Sequence, residues 1–283
     1  MSWQLLALIS VTSLSVSNLL GRVLMKDDKS DPIGYGIIFQ FGLGLVALVF
    51  ALVFNKFVWP QGYGFSIRFL ISTLLWTLTT VFSFSSIKRI GASEATILVS
   101  SGSLVSIFLG ITVLGESITI KLFLGSLLVL VAVWIVTTEK LKFTSRKGVV
   151  FSLLAALCSG IAVVNDAIIL RTYEAFSYTT IMSFLPGILL LMLFPLKFKT
   201  TVVNIDRNFL WRMSILCLLY AVQAITYYLA FQVGAPVSQL SPITRSSVVL
   251  TVILAAIFIN ERNNLFRKLI AAGVMIFGVI LLG

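Results

Sequence analysis

Long apolar runs, separated by short clusters of charge, Pro or Gly, fill the 283-residue chain. Ten of them are predicted as helices: Trp3–Met25, Ile33–Phe54, Phe65–Ile87, Ala92–Leu114, Ile118–Thr137, Lys147–Arg171, Tyr178–Leu196, Phe209–Phe231, Val237–Ile259 and Leu265–Leu282. A helix needs about 20 apolar residues to cross the hydrocarbon core of a bilayer, and these runs match that length. Barrel strands alternate apolar and polar residues, whereas these runs are apolar throughout. In lipid only helices and closed barrels satisfy their backbone polar groups. The pattern therefore predicts an all-α polytopic membrane protein with ten transmembrane helices.

The chain also repeats itself. Residues 91–116, GASEATILVSSGSLVSIFLGITVLGE, resemble residues 234–261, GAPVSQLSPITRSSVVLTVILAAIFINE. Each segment begins Gly-Ala, runs through a Ser/Thr-rich helix and closes on a glutamate, Glu116 or Glu261. Asn18 in the first helix aligns with Asn165 in the sixth at nearly the same offset. The chain thus divides into two five-helix repeats, 1–143 and 144–283. Five is odd, so the second repeat enters the membrane inverted, the arrangement found in transporters that bind solute near the midplane.

Composition agrees and removes alternatives. Apolar residues make up 59% of the chain and charged residues 11%, against about 25% charged in a soluble domain. Ten spans use roughly 200 residues, which leaves no room for a soluble catalytic domain. The net charge of +11 sits between apolar runs, where headgroups explain it better than nucleic acid does. The chain has no histidine, so imidazole metal sites, His-dependent triads and His proton relays are excluded. Cys158 and Cys217 lie inside apolar runs without a CxxC partner, which argues against a disulfide or zinc site. There is no P-loop, HExxH or Asp-rich motif, so no catalytic residue, metal or cofactor is expected, and the chain alone is not an ATP-driven pump. The first run lacks a basic n-region and is expected to be retained as a span.

The stretch YYLAFQVGAPVSQLSPI (227–243), with Asn260-Glu261-Arg262 after it, resembles the drug/metabolite transporter superfamily, EamA type. SFSSIKRIGASEA (83–95), Leu114-Gly115-Glu116 and Gly125 carry the matching features of the first half. The resemblance covers nearly the whole chain. It implies ten helices, a central cavity lined by helices 1, 3, 4, 6, 8 and 9, and export or exchange of small metabolites. One departure is that the family often has Pro in mid-helix 4, where this chain has Ser101-Gly102-Ser103. A softer break is expected there, and Ser101 is placed among the candidate solute contacts.

Sixteen Lys and Arg residues fall in loops 1–2, 3–4, 5–6, 7–8 and 9–10 or the adjoining helix ends, against four on the opposite side. The positive-inside rule then places both termini outside an inner (plasma) membrane. The resemblance implies both inside; the charges are followed here.

Two charges fall well inside predicted helices, Asp166 and Arg245. An ionised group at the bilayer centre costs about 2.5–3.5 kcal/mol even on the mildest scales, so each needs a partner or a wet cavity. Helix geometry sets their depths about 5 Å apart, which suggests contact. One reading is a structural ion pair. The other is that Arg245 holds an anionic group while Asp166 orients it or exchanges a proton. Asn18 and Asn165 either staple helices or face the cavity. Trp76, Thr80 and Ser83 share one face of helix 3, as do Tyr220, Gln223 and Tyr227 of helix 8, and either packing or a solute wall explains them. Gly102, Ser106 and Gly110 form a close-packing stripe. Glu116 and Glu261 are expected to bond loop backbone groups or neighbours such as Lys121 and Arg262. Glu94 suits the first turn of helix 4, with proton coupling the less favoured role. Trp3, Trp59 and Trp211 sit at span ends as interface anchors.

The chain is thus read as a secondary transporter of a small polar or amphipathic metabolite such as an amino acid. Its partners are the solute, the bilayer and, through Asp166, protons, with no nucleic acid; monomer and homodimer both remain open. A broad exporter of hydrophobic cations is disfavoured by Arg245, and a non-transport membrane subunit is the rival from another class.

Overall fold

The computed structural model describes residues 2–26, 31–90, 92–117, 119–137, 145–203, 205, 207–258 and 265–282. Every regular element among them is helical: α1 (Trp3–Lys26), α2 (Pro32–Val53), α3 (Tyr63–Ile90), α4 (Ala92–Ser100), α5 (Gly102–Leu114), α6 (Ile120–Thr137), α7 (Arg146–Leu170), α8 (Ala175–Leu193), α9 (Pro195–Val203), α10 (Arg207–Gln232), α11 (Val237–Phe258) and α12 (Leu265–Leu282). Eight stretches are long and apolar enough to cross a membrane, with α4 and α5 counted as one, and Ile120–Ile135 is a shorter apolar helix. That differs from the ten spans expected, because α6 and α12 fall outside the eight.

Local chemistry explains the boundaries. The fourth predicted helix divides at Ser101, which keeps near-helical angles (φ −63°, ψ −12°). Its hydroxyl donates to Leu98 O at 2.6 Å, and Leu104 N bonds Ser101 O at 2.9 Å. The i→i−4 ladder lapses there without the kink a proline would impose. α8 starts three residues earlier than expected because Glu174 caps it, accepting from Phe176 N at 2.7 Å and Ser177 N at 3.3 Å. The short helix α9 was not expected. It packs on α2, where a Cβ on Gly34 would lie 2.0 Å from Thr201 Oγ1.

Glu116 corrects another expectation. Gly115 turns the chain with φ +70°, a conformation that favours glycine. The Glu116 carboxylate then accepts from Val237 N at 2.7 Å and Ser238 N at 2.8 Å. These belong to the first turn of α11, whose free N–H groups and dipole favour an anion. Its partners are therefore in the other half of the chain and not in an adjacent loop. Glu261, Arg262 and the side chain of Glu94 lie outside the described residues.

Helices pair mainly across the two halves: α3 with α7, α1 with α10 and α11, α2 with α8, and α6 with α12. α7 also packs on α4 and α5. Antiparallel contacts mark the first of these pairs, with Ser72 meeting Asp166 and Ser86 meeting Ser152. On the third side of the bundle, Gly125 and Gly278 bring α6 and α12 close. A Cβ on Gly125 would lie 2.8 Å from Gly278 O. The small-residue stripe of α5 serves the same end. Gly102 abuts Ala156 O, and Ser106 donates to Ser241 of α11 at 2.7 Å. Large apolar side chains such as Leu8, Leu45, Phe108 and Ile280 remain exposed, as suits a chain whose solvent is lipid.

Candidate functional site

The seam between α3 and α7 is closed by polar groups. Asp166 is fully buried. One carboxylate oxygen accepts from Ser72 Oγ and from the Tyr178 hydroxyl, each at 2.5 Å, and the other accepts from Trp76 Nε1 at 2.9 Å. Three donors thus solvate the buried carboxylate in place of water. Asn165 stands beside it. Its amide nitrogen donates to Arg68 O and to Ser72 Oγ, both at 2.8 Å, and its oxygen accepts from Arg68 Nη1 at 3.3 Å. Just outside, the Tyr173 hydroxyl donates to Val58 O, and Ser177 bonds Lys56 O and Val58 N. The segment before α3 is thereby tied to the start of α8.

Beyond this seam lies a cavity of about 350 Å³. Trp76 and Thr80 of α3, Tyr220, Gln223 and Tyr227 of α10, Asn18 of α1 and Arg245 of α11 all line it. Arg245 is the charged residue among the described lining. Its Nε is buried with no hydrogen-bond partner among the described residues. A buried guanidinium nitrogen left unbonded is costly, and its place on the cavity wall marks where a partner is missing. A second space of about 490 Å³ shares Asn18, Tyr220 and Val248 with the first, and runs on to Gly21, Phe39 and Thr96. The cavity therefore adjoins a space beside the C-terminal part of α1, while Trp76 links its wall to the α3–α7 seam.

The sequence profile of the EamA-like transporter family matches residues 1–138 and 146–283, nearly the entire chain.

The chain belongs to the EamA-like transporter family.

It is accordingly an integral membrane protein and a membrane transporter of the drug/metabolite type. A solved structure titled "Crystal structure of protein" has the same fold, with a TM-score of 0.82 at 15% identity, covering 99% of this chain and 95% of that one. No curated protein sequence matches.

Within this EamA-like fold the expected site residues separate into two groups. Arg245, Asn18, Trp76, Thr80, Gln223 and Tyr227 are brought together around the cavity. Asn165 is not: its amide is used in the α3–α7 seam, so the stapling reading describes it. Ser101 lies at the α4–α5 junction and outside the lining, its hydroxyl bonded to Leu98 O. The expected contact between Asp166 and Arg245 is also absent. The ion pair found among the described residues is Lys197–Asp31, at 3.1 Å. Rise per residue sets the two charges about 5 Å apart in depth but says nothing about which way each faces. Asp166 points into the α3–α7 seam and Arg245 into the cavity. What connects them is aromatic. Trp76 lines the cavity while its N–H holds Asp166. Tyr227 and Tyr228 also line it, and Tyr228 packs edge-on against Tyr178 with centroids 4.9 Å apart. Ser72 and Tyr178 escaped the sequence reading. Ser72 was findable, four residues before Trp76 on the same helical face. Tyr178 was not, because its role depends on how α8 packs.

Proposed function

We propose that this EamA-like chain is a secondary transporter that moves a small polar or amphipathic solute by alternating access, with Arg245 holding the solute's anionic group. The observation that carries the reading is the buried, unpartnered Arg245 Nε on the cavity wall. Trp76, Tyr220 and Tyr227 supply faces for an apolar or aromatic body, and Asn18, Thr80 and Gln223 supply polar contacts. An amino acid fits such a wall. A broad exporter of hydrophobic cations fits it poorly, because a lone arginine repels them.

The ten-span, two-repeat architecture belongs to the same proposal. Its support is that the packing is preserved when the halves are exchanged: α1 on α10 corresponds to α7 on α3, and α1 on α11 to α7 on α4 and α5. Inverted repeats of this kind rock about a fixed site. The termini are proposed to lie outside, on the charge count of the loops.

Asp166 is proposed as the coupling residue, acting through Trp76 and not through Arg245. Trp76 N–H can only donate, and a protonated carboxyl oxygen is a poorer acceptor, so a proton added to the oxygen it meets weakens that bond and loosens the seam. Asp166→Asn should then abolish uptake driven by a pH gradient in liposomes while leaving solute counterflow intact. Transport that ignores a pH gradient in the unmutated protein would make Asp166 a structural residue.

The test of the central reading is a thermal-shift screen of metabolites on purified protein, run in parallel on Arg245→Gln. Carboxylates should raise the melting temperature of the unmutated chain and leave the variant unmoved. Equal shifts in both proteins would sink the reading.

A further inference from the structure

Several hydroxyls on the cavity wall turn their hydrogens back into their own helices. Thr80 donates to Trp76 O at 2.9 Å, Thr244 to Ser241 O at 2.7 Å and Ser183 to Thr179 O at 2.7 Å. Each bond runs back to the preceding turn, and leaves lone pairs as the part of the hydroxyl still available. Gln223 reaches the same polarity by another route. Its Nε2 donates to Ser10 Oγ at 3.3 Å, while Ser10 Oγ donates to the Gln223 backbone oxygen at 3.2 Å. A serine hydroxyl has one hydrogen. With that hydrogen on the backbone, Ser10 can only receive from the side chain, so Gln223 must present its NH2 to Ser10 and turn Oε1 away. Gln223 is 7% exposed and lines the cavity, and its Oε1 has no donor among the described residues. Ser10 is fully buried and lies outside the lining. The wall therefore presents one cationic donor, Arg245, and, at Gln223, an amide oxygen fixed as an acceptor.

We propose that the cavity recognises a small anion that also carries a hydrogen-bond donor, the anionic group on Arg245 and the donor on Gln223 Oε1, with Ser10 as the positioning residue that fixes the amide. The inference rests on the reading of Arg245 as the anion anchor. It adds a second requirement: an anion of the same size that brings only an acceptor to Gln223 Oε1 binds more weakly than one that brings a donor there. The donor is a neutral O–H or N–H, or an ammonium, and the probes below separate the two. Sites that bond a substrate donor discriminate strongly against analogues lacking it, because their own buried acceptor is left unpaired.

The test uses the purified full chain in detergent, titrated calorimetrically with phenylacetate, 4-methoxyphenylacetate, 4-hydroxyphenylacetate and phenylalanine. One of the last two should bind at least about 10-fold more tightly than the first two, as expected for one unpaired buried acceptor. Preference for 4-hydroxyphenylacetate assigns a neutral donor; preference for phenylalanine assigns an ammonium. In Ser10→Ala the amide is free to turn, and the preference should shrink to about 3-fold or less while phenylacetate affinity holds. Gln223→Leu should lose the preference as well, so the proposal does not hang on one variant. Equal binding of all four probes, abolished in Arg245→Gln, overturns the donor requirement and leaves Arg245 as anchor. Binding that survives Arg245→Gln overturns the anchor, and binding of none of the four at millimolar concentration overturns both.

Discussion

The repeat expected from the sequence aligns Asn18 with Asn165, yet their surroundings are opposite. Asn165 is 8% exposed, and its amide bonds Arg68 and Ser72 across the α3–α7 seam. Asn18 is exposed and lines both spaces beside α1. Next to Asn165 stands a buried aspartate with three donors; next to Asn18 the corresponding residue is Leu19, which has no hydrogen bond to offer. The difference shows what closes one side of the cavity. Apolar contact between helices gains little in lipid, so a seam there is held by hydrogen bonds and close backbone approach. Where such partners meet, as between α3 and α7, the seam shuts. Ser10 and Gln223 also bond between α1 and α10, but Asn18 has no such partner among the described residues and faces the cavity.

The largest effect is expected at the closed seam. Asp166→Ala leaves the Ser72, Tyr178 and Trp76 donors without an acceptor, at about 1–3 kcal/mol for each orphaned group. The variant should show a markedly lower melting temperature in detergent and no transport. A melting temperature equal to that of the unmutated chain would mean that the network does not hold the seam.

Asn165→Ala and Asn18→Ala form the direct comparison. The first should cost about 1–3 kcal/mol of stability, because Ser72 and Arg68 lose a buried partner. The second should change stability by about 0.5 kcal/mol or less, as at an ordinary exposed site, while weakening solute binding. Similar melting temperatures for the two variants would erase the asymmetry.

The glycines of the same two helices sharpen it further. A Cβ on Gly160 of α7 would lie 2.6 Å from Val105 Cβ and 2.7 Å from Gly102 O, whereas one on Gly21 of α1 would meet nothing within 4 Å. Gly160→Ala should therefore cost about 1–3 kcal/mol. Gly21→Ala should be neutral or stabilise by up to about 1 kcal/mol through helix propensity. Parallel thermal unfolding in detergent reads both.

The smallest effect is at the Asp31–Lys197 pair, outside the spans. Partial burial pushes the Asp31 carboxyl up, but the bonds from Ile33 N–H and Lys197 outweigh it and hold the group below the usual carboxylate range. A depressed folded-state value stabilises at pH above the unfolded value of about 3.9. That contribution fades as pH falls through the folded value. Because the pair is partly exposed, the effect is small and screened by salt. Asp31→Asn should flatten a shallow acid-side decline in melting temperature, and an unchanged decline would assign it to other carboxylates.

The class of the molecule was legible in its residues alone. Apolar runs of span length, few charges and no histidine impose a helical membrane protein, because lipid tolerates few other solutions. The runs also located most helices, and the GASEA and GAPVS segments pointed to the family. The same reading marked Arg245, Asn18, Trp76, Thr80, Gln223 and Tyr227, because polar and aromatic residues on one face of an apolar helix must face something other than lipid. Which neighbour each polar group meets follows from how the helices pack. Rise per residue gives depth but not the rotation of one helix against another, so Asp166 and Arg245 could be set within about 5 Å in depth and still face different spaces. For the same reason Glu116 could be expected to bond loop backbone or a basic neighbour, but not to cap α11, half the chain away. Ser10, a small polar residue on an apolar run, gained its role when packing brought it against Gln223 and left its single hydrogen one place to go.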